Sequence, residues 1–134
     1  MKILFVCKHN RFRSKVAEAY FKKINKNKKI EVASAGIFSG FPIVENVIKI
    51  SKKFGINIKG KSRGLDEGEI YKVDLLVIVA DDVPASLFKN KVKKIVVWKV
   101  PDITNQSDKK GIEKISRLII KKVDSLVKKL EKSQ

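Results

Sequence analysis

Cys7 and Arg13 stand six residues apart near the start of the chain, and Ser14 follows directly. A cysteine thiolate is a strong nucleophile. The planar guanidinium of arginine can hold two phosphate oxygens at once, which the point charge of lysine cannot do. A serine hydroxyl next to the sulfur can donate to it and stabilise it as a leaving group. Residue usage sharpens the reading. Of 31 basic residues only four are Arg (Arg11, Arg13, Arg63 and Arg117), and two of them fall within this one turn. The chemistry in prospect is attack by sulfur on phosphorus, with the phosphoryl oxygens held by arginine and backbone. Within the same stretch Asn10 tolerates unusual backbone angles and can brace the loop through its side chain. Lys8, His9, Asn10, Arg11 and Phe12 are expected to surround the anion, with Lys8 and His9 at the entrance favouring acidic substrates. His9, the lone histidine, could serve as a base, but loop or substrate contact is the stronger reading. The turn holds no glycine, so it is not a Gly-rich phosphate loop.

These groups need a strand that delivers the nucleophile and a helix whose N-terminus faces it. Ile3 to Val6 is a continuous apolar run, as in a strand buried on both faces. From Ser14 to about Lys26 apolar residues fall at Val16, Ala17, Tyr20, Phe21 and Ile24, which is helical spacing. A turn between such a strand and helix aims N–H groups at one point, and the helix dipole adds positive potential there. Both features, with a nearby Arg, favour the thiolate.

The remaining elements alternate in the same way. Ile30 to Ala33 reads as a short strand. Pro42 is placed to open a helix marked by Ile43, Val47, Ile50 and Phe54, and Gly55 ends it. Lys59 to Gly68 is a loop or short helix. Val73 to Ala80 holds the clearest buried strand, and Asp82 with Pro84 reads as the cap and first turn of a short helix through Phe88. Ile95 to Trp98 is another strand, Val100 to Ser107 a loop, and Ser107 to the C-terminus one long amphipathic helix. The expected fold class is therefore α/β: a single domain over residues 1–134, a three-layer sandwich with a four-stranded parallel sheet and helices on both faces. Ligands of such sheets bind at the carboxyl ends of the strands. A loop aspartate at that end, Asp102, could protonate a departing alkoxide or phenoxide, and Asp108 is the alternative.

Composition narrows the classes. An apolar fraction of 43% with 34% charged residues is that of a globular chain. No apolar run approaches the roughly 20 residues of a membrane helix, and the N-terminal run is too short for a signal peptide, so a cytoplasmic location without membrane association is expected. One cysteine allows no internal disulfide. The net charge of +17 comes mostly from lysines spread over the whole chain. No nucleic-acid motif accompanies them, so nucleic acid is not expected as a partner. Cys7 and His9 alone make no metal site, and no cofactor is implied.

Cys-x5-Arg-Ser followed by Ala17-Glu18 resembles the low-molecular-weight protein tyrosine phosphatases and their arsenate reductase relatives. Ser34-Ala-Gly36, Asp74 through Asp81, and Val100-Pro-Asp102 resemble further motifs of that family, in family order over nearly the whole chain. The resemblance implies a phosphomonoester hydrolase acting on phosphotyrosine, with Cys7 as nucleophile, Arg13 as phosphate clamp and Asp102 as general acid. Phosphorylated proteins, small phosphomonoesters and phosphate ion are the implied partners. Two departures stand out. Phe12 occupies the place where the family often has a second cysteine, and Ile103 and Thr104 follow Asp102 where it usually has a proline and paired tyrosines. Phe38 and Phe41 could replace part of that aromatic wall. An arsenate reductase would need an external thiol partner, because this chain has no further cysteine. A non-enzymatic anion- or nucleic-acid-binding protein is the remaining alternative.

Overall fold

The computed structural model describes residues 1–133. Four strands, β1 (Lys2–Cys7), β2 (Glu31–Gly36), β3 (Leu75–Val79) and β4 (Lys94–Trp98), form one parallel sheet in the order β2-β1-β3-β4. Three α-helices, α1 (Arg13–Ile24), α2 (Glu45–Lys53) and α3 (Lys109–Lys132), connect or follow them. The two central strands carry the continuous apolar runs, Ile3-Leu-Phe-Val6 and Leu75-Leu-Val-Ile-Val79, because both of their faces are covered.

Helical segments cover both faces, but unequally. The larger core joins Ile3, Phe5, Leu75, Val77 and Val79 to α1 through Val16, Ala17 and Phe21. The same core reaches α2 through Val47 and Ile50, and α3 through Ile112, Ile115, Ile119, Val123 and Val127. The opposite face, Leu4, Val6, Leu76 and Ile78, is closed by the single-turn helices Glu69–Lys72 and Ala85–Phe88, through Ile70 and Phe88. One polar tie sits between α1 and α3. The Tyr20 hydroxyl donates to Asp124 at 2.6 Å, and burial together with that carboxylate pushes its pKa up to about 12.

Three local expectations are corrected. First, β2 runs on through Ser34-Ala35-Gly36, so these residues lie in the strand and not after it. The reason is steric. A Cβ on Gly36 would sit 2.6 Å from the His9 carbonyl carbon and 2.8 Å from the Asn10 nitrogen, so only glycine lets this strand end pack against the loop after β1. Second, α2 starts at Glu45 and not at Pro42, because Val44, its N-terminal neighbour, is extended and donates its N–H to Arg11. Third, Asp82 caps no helix. The turn Ala85–Phe88 begins after Pro84 without a side-chain cap, and the Asp82 carboxylate is engaged elsewhere. Gly55, with φ +70°, ends α2 in the left-handed conformation expected of it.

Candidate active site

All four strands are parallel, so their carboxyl ends open on one edge. Cys7 closes β1 there, Gly36 closes β2, Asp81 and Asp82 follow β3, and Asp102 follows β4. The edge pairing continues past the strands, since Ala80 N donates to Trp98 O and Asp81 N to Val100 O. The topology therefore gathers residues from four distant parts of the chain.

Residues 8 to 12 turn from β1 into α1. Asn10 sits at φ +56° and is fully buried. Phe12 precedes the helix with no side-chain cap, so first-turn N–H groups are left for other acceptors. One of them, Ser14 N, donates to the Cys7 sulfur at 3.4 Å, and Asn10 N donates at 3.3 Å. The Ser14 hydroxyl lies 2.9 Å from the sulfur. Its polarity follows from its other neighbour. The Asn10 amide nitrogen donates to Ser14 Oγ at 2.8 Å, which leaves the hydroxyl proton directed at the sulfur. Three donors and the positive end of α1 thus converge on Cys7, an arrangement that suits a thiolate.

Asn10 is the hub behind the loop. Its amide nitrogen also donates to Ser34 Oγ at 3.0 Å, and its oxygen accepts from Arg63 N at 3.0 Å. Ser34 in turn donates to Glu18 at 2.6 Å. The Arg63 side chain holds Glu69 with two short bonds, 2.8 and 2.6 Å. That pairing keeps the Glu69 carboxyl below its usual range. Gly36 N donates to Arg63 O, so β2, the Arg63 segment and the loop are one braced unit.

Arg13 is 1% exposed, yet it carries a charge, so its neighbours must compensate it. Nη1 donates to Val100 O at 2.8 Å and Nη2 to Asp82 at 2.9 Å. Asp81 and Asp102 lie 3.7 and 3.6 Å away. Only Nε is buried without a partner. One Asp102 oxygen accepts from Ile103 N at 2.8 Å, and the other lies 3.5 Å from Arg11. Asp102 therefore reaches the loop, and two guanidinium groups flank it. Asp108 does not. It caps α3 by accepting from Gly111 N at 2.9 Å.

The other sequence-predicted residues divide into three kinds. Lys8 and Arg11 are partly exposed on the rim. His9 packs its ring 4.0 Å from that of Phe41 and 6.1 Å from Phe38, and burial, followed by the charges of Arg11 and Lys8, pushes its pKa down. It belongs to an aromatic rim, with Phe38 and Phe41 both exposed beside it. Phe12 departs from its expected role as a substrate contact. Its side chain is 1% exposed within the larger core, so only its backbone faces the loop. Sequence reasoning missed Asp82, Arg63 and Glu69 as members of this network, and it had Ser34 only as part of a motif. Asp82 carries no local signal because its partner, Arg13, is 69 residues away, and Arg63 reaches Asn10, 53 residues away, through its backbone N–H.

The low molecular weight phosphotyrosine protein phosphatase family model matches residues 2–134. Comparison with curated proteins gives no match. Among solved structures, the chain is similar to a low molecular weight protein tyrosine phosphatase from T. tengcongensis, with 27% identity, TM-score 0.80, and coverage of 96% of this chain and 99% of that one. It is equally similar in sequence, at 27%, to an arsenate reductase from Archaeoglobus fulgidus, with TM-score 0.76 and coverage of 93% and 98%. Wzb of Vibrio vulnificus, solved in complex with benzylphosphonate, is 25% identical with TM-score 0.81 and coverage of 96% and 97%.

Proposed function

The chain belongs to the low molecular weight phosphotyrosine protein phosphatase family, and from that premise we propose that it hydrolyses phosphomonoesters, phosphotyrosine in proteins among them, through a phosphocysteine on Cys7. Two observations carry the reading: three donors converge on the Cys7 sulfur, and the buried Nε of Arg13 has no partner. A phosphate entering the loop meets backbone N–H groups from one side and the Arg13 fork from the other. Nε is free to take one oxygen at once, and Nη2 can take a second by releasing Asp82.

The reaction has two displacements. The Cys7 thiolate attacks phosphorus, the bond to the ester oxygen breaks, and Asp102 gives that oxygen a proton. Asp102 then takes a proton from water as the water attacks the phosphocysteine, the S–P bond breaks, the thiolate is regenerated and inorganic phosphate is released. Ser14 assists the second step by donating to the sulfur as it leaves. Arg13 and the loop N–H groups hold the three equatorial oxygens through both steps. Lys8 and Arg11 on the rim, together with the aromatic cluster of His9, Phe38 and Phe41, suit an aryl phosphate within an acidic segment. We place the activity in the cytoplasm; no helix among the described residues is long and apolar enough to cross a membrane.

Arsenate reduction is the second reading, supported by the likeness to the Archaeoglobus enzyme, and it would require an external thiol because Cys7 is the lone cysteine. The test is turnover of an aryl phosphate and a phosphotyrosine peptide in chelator-treated buffer, with Cys7→Ser as control. Turnover by the native chain, absent in the variant while phosphate still binds, is the expected result. Turnover retained in Cys7→Ser would end the nucleophile assignment.

A further inference from the structure

A second basic cleft lies on the flank of α1, away from the Cys7 sulfur. Lys15, Glu18, Lys22, Lys23, Asn57 and Lys59 line it, and its volume is about 320 Å³. Four ammonium groups face one carboxylate there, a strong local excess of positive charge. Lys15 is the unusual member. It is only 6% exposed, makes no hydrogen bond, and has its nearest anionic atom, a Glu18 oxygen, at 3.8 Å. That carboxylate is already committed. One oxygen accepts from Ser34 at 2.6 Å and the other from Lys22 at 2.8 Å. Lys23 is tied to the Phe54 carbonyl, whereas Lys59 is exposed.

The Lys15 stem is buried while its ammonium has no partner closer than the Glu18 oxygen at 3.8 Å, so an anion entering the cleft meets a cation that no short hydrogen bond holds. Burial is also the main cause of its lowered pKa, with Lys22 and Arg63 adding to it. We propose that this cleft is a second anion site, separate from the catalytic loop, which takes a small polyanion of the phosphate class with two or more charges. Lys15 forms its floor, Lys22 and Lys59 its walls, and the Asn57 amide offers a further donor. A cleft of this size admits a diphosphate group, and its four lysines favour a polyanion over a single phosphate. The site does not depend on the catalytic reading, because none of its lining residues is a bonding partner of Cys7 or Arg13. It is nevertheless connected to the nucleophile. Glu18 bonds Ser34, Ser34 is bonded by Asn10, and Asn10 bonds Ser14, so an anion that draws Lys15 and Lys22 from Glu18 acts on the brace of the loop.

Inorganic pyrophosphate titrated into the full chain, followed by amide resonances, separates the two anion sites. Binding at the cleft moves Ala19, Gly55, Asn57 and Lys59 with one dissociation constant, while occupation of the loop moves residues 8 to 14 with another. Lys59→Gln, at an exposed position that spares the fold, should weaken the first constant about three- to tenfold and leave the second alone. Lys15→Met, which keeps the buried stem, should weaken it tenfold or more. Shifts confined to residues 8 to 14, or cleft shifts unchanged in both variants, would overturn the proposal. Neither result would bear on the role of Cys7.

Discussion

Arg13 illustrates how much the type of one cation matters in a chain that otherwise uses lysine. Its guanidinium bonds the Val100 carbonyl and Asp82 while the buried Nε has no partner, so it holds the β3 and β4 ends together and, in the proposed reaction, keeps one donor for the anion. A lysine keeps the charge but has one nitrogen for all three tasks. Arg13→Lys is therefore expected to lower kcat by about 10²–10³-fold, the usual cost of losing a donor aimed at developing charge. Steady-state kinetics on an aryl phosphate check this, and near-native kcat/KM would remove Arg13 from the site. The role of Asp102 is tested by leaving group. Its carboxylate reaches the loop from the β4 side and is held by Ile103 N, so an amide at the same position should keep the geometry while losing the proton. A proton donor matters most when the departing oxygen is strongly basic. Asp102→Asn should slow release of tyrosine by about 10²-fold or more and release of an activated nitrophenol far less. Equal losses for both substrates would show that no proton is delivered from this residue.

Above the single residue, the loop after β1 is rigid because three elements brace it, and one brace titrates. The segment from Arg63 to Glu69 closes on itself through two short bonds, and its Arg63 N–H holds Asn10. Arg63 keeps the folded-state pKa of Glu69 below its ordinary, unfolded value. The pairing thus contributes stability that is fully present above the ordinary glutamate range and is lost as pH falls through the lowered folded-state value. Glu69→Gln should cost about 1 kcal/mol at neutral pH. The gap between the two proteins should stay constant from pH 6 to 8 and close on acidification below about pH 4, the ordinary glutamate range. Urea melts at several pH values measure it, and a gap that widened in acid would reverse the assignment. Brackets of this kind are also where the sequence was least legible. The central strands and α1 could be read directly, since continuous apolar runs and helical spacing are local signals, and Cys7, Arg13 and Ser14 could be read from type and spacing. Asp82 could not, because a carboxylate two residues before Pro84 looks like a helix cap until Arg13, 69 residues away, is brought beside it. Gly36 was legible only as part of the Ser34-Ala-Gly36 motif. The reason for it lies in the backbone of His9 and Asn10 in another segment, and a small residue at a strand end carries no signal of that contact.

At the scale of the whole molecule, charge acts differently near the site and far from it. Around the loop Arg11 and Arg13 are opposed by Asp81, Asp82 and Asp102, and Lys8 stands on the rim beside them, so positive and negative charges there nearly balance. The chain as a whole carries +17. An approaching anion therefore feels attraction mainly from a distance, and it keeps this attraction only while salt allows. The screening length is about 30 Å at 0.01 M and about 8 Å at 0.15 M. At low salt the lysines of all three helices contribute to the field at the sheet edge; at 0.15 M little but the balanced local set remains. For a phosphotyrosine peptide with acidic flanks, kcat/KM is expected to fall about tenfold between those two salt concentrations and to change little above them. The chemical step takes place between groups in contact inside the loop, so kcat should stay nearly constant. A peptide with neutral flanks should show a much smaller fall, because it presents less charge to the same field. Measuring both peptides over the salt series separates long-range steering from local recognition. If the two peptides lose kcat/KM in parallel, or if kcat falls with KM unchanged, the +17 charge is not guiding substrate, and any preference for acidic flanks rests on Lys8 and Arg11 at the rim.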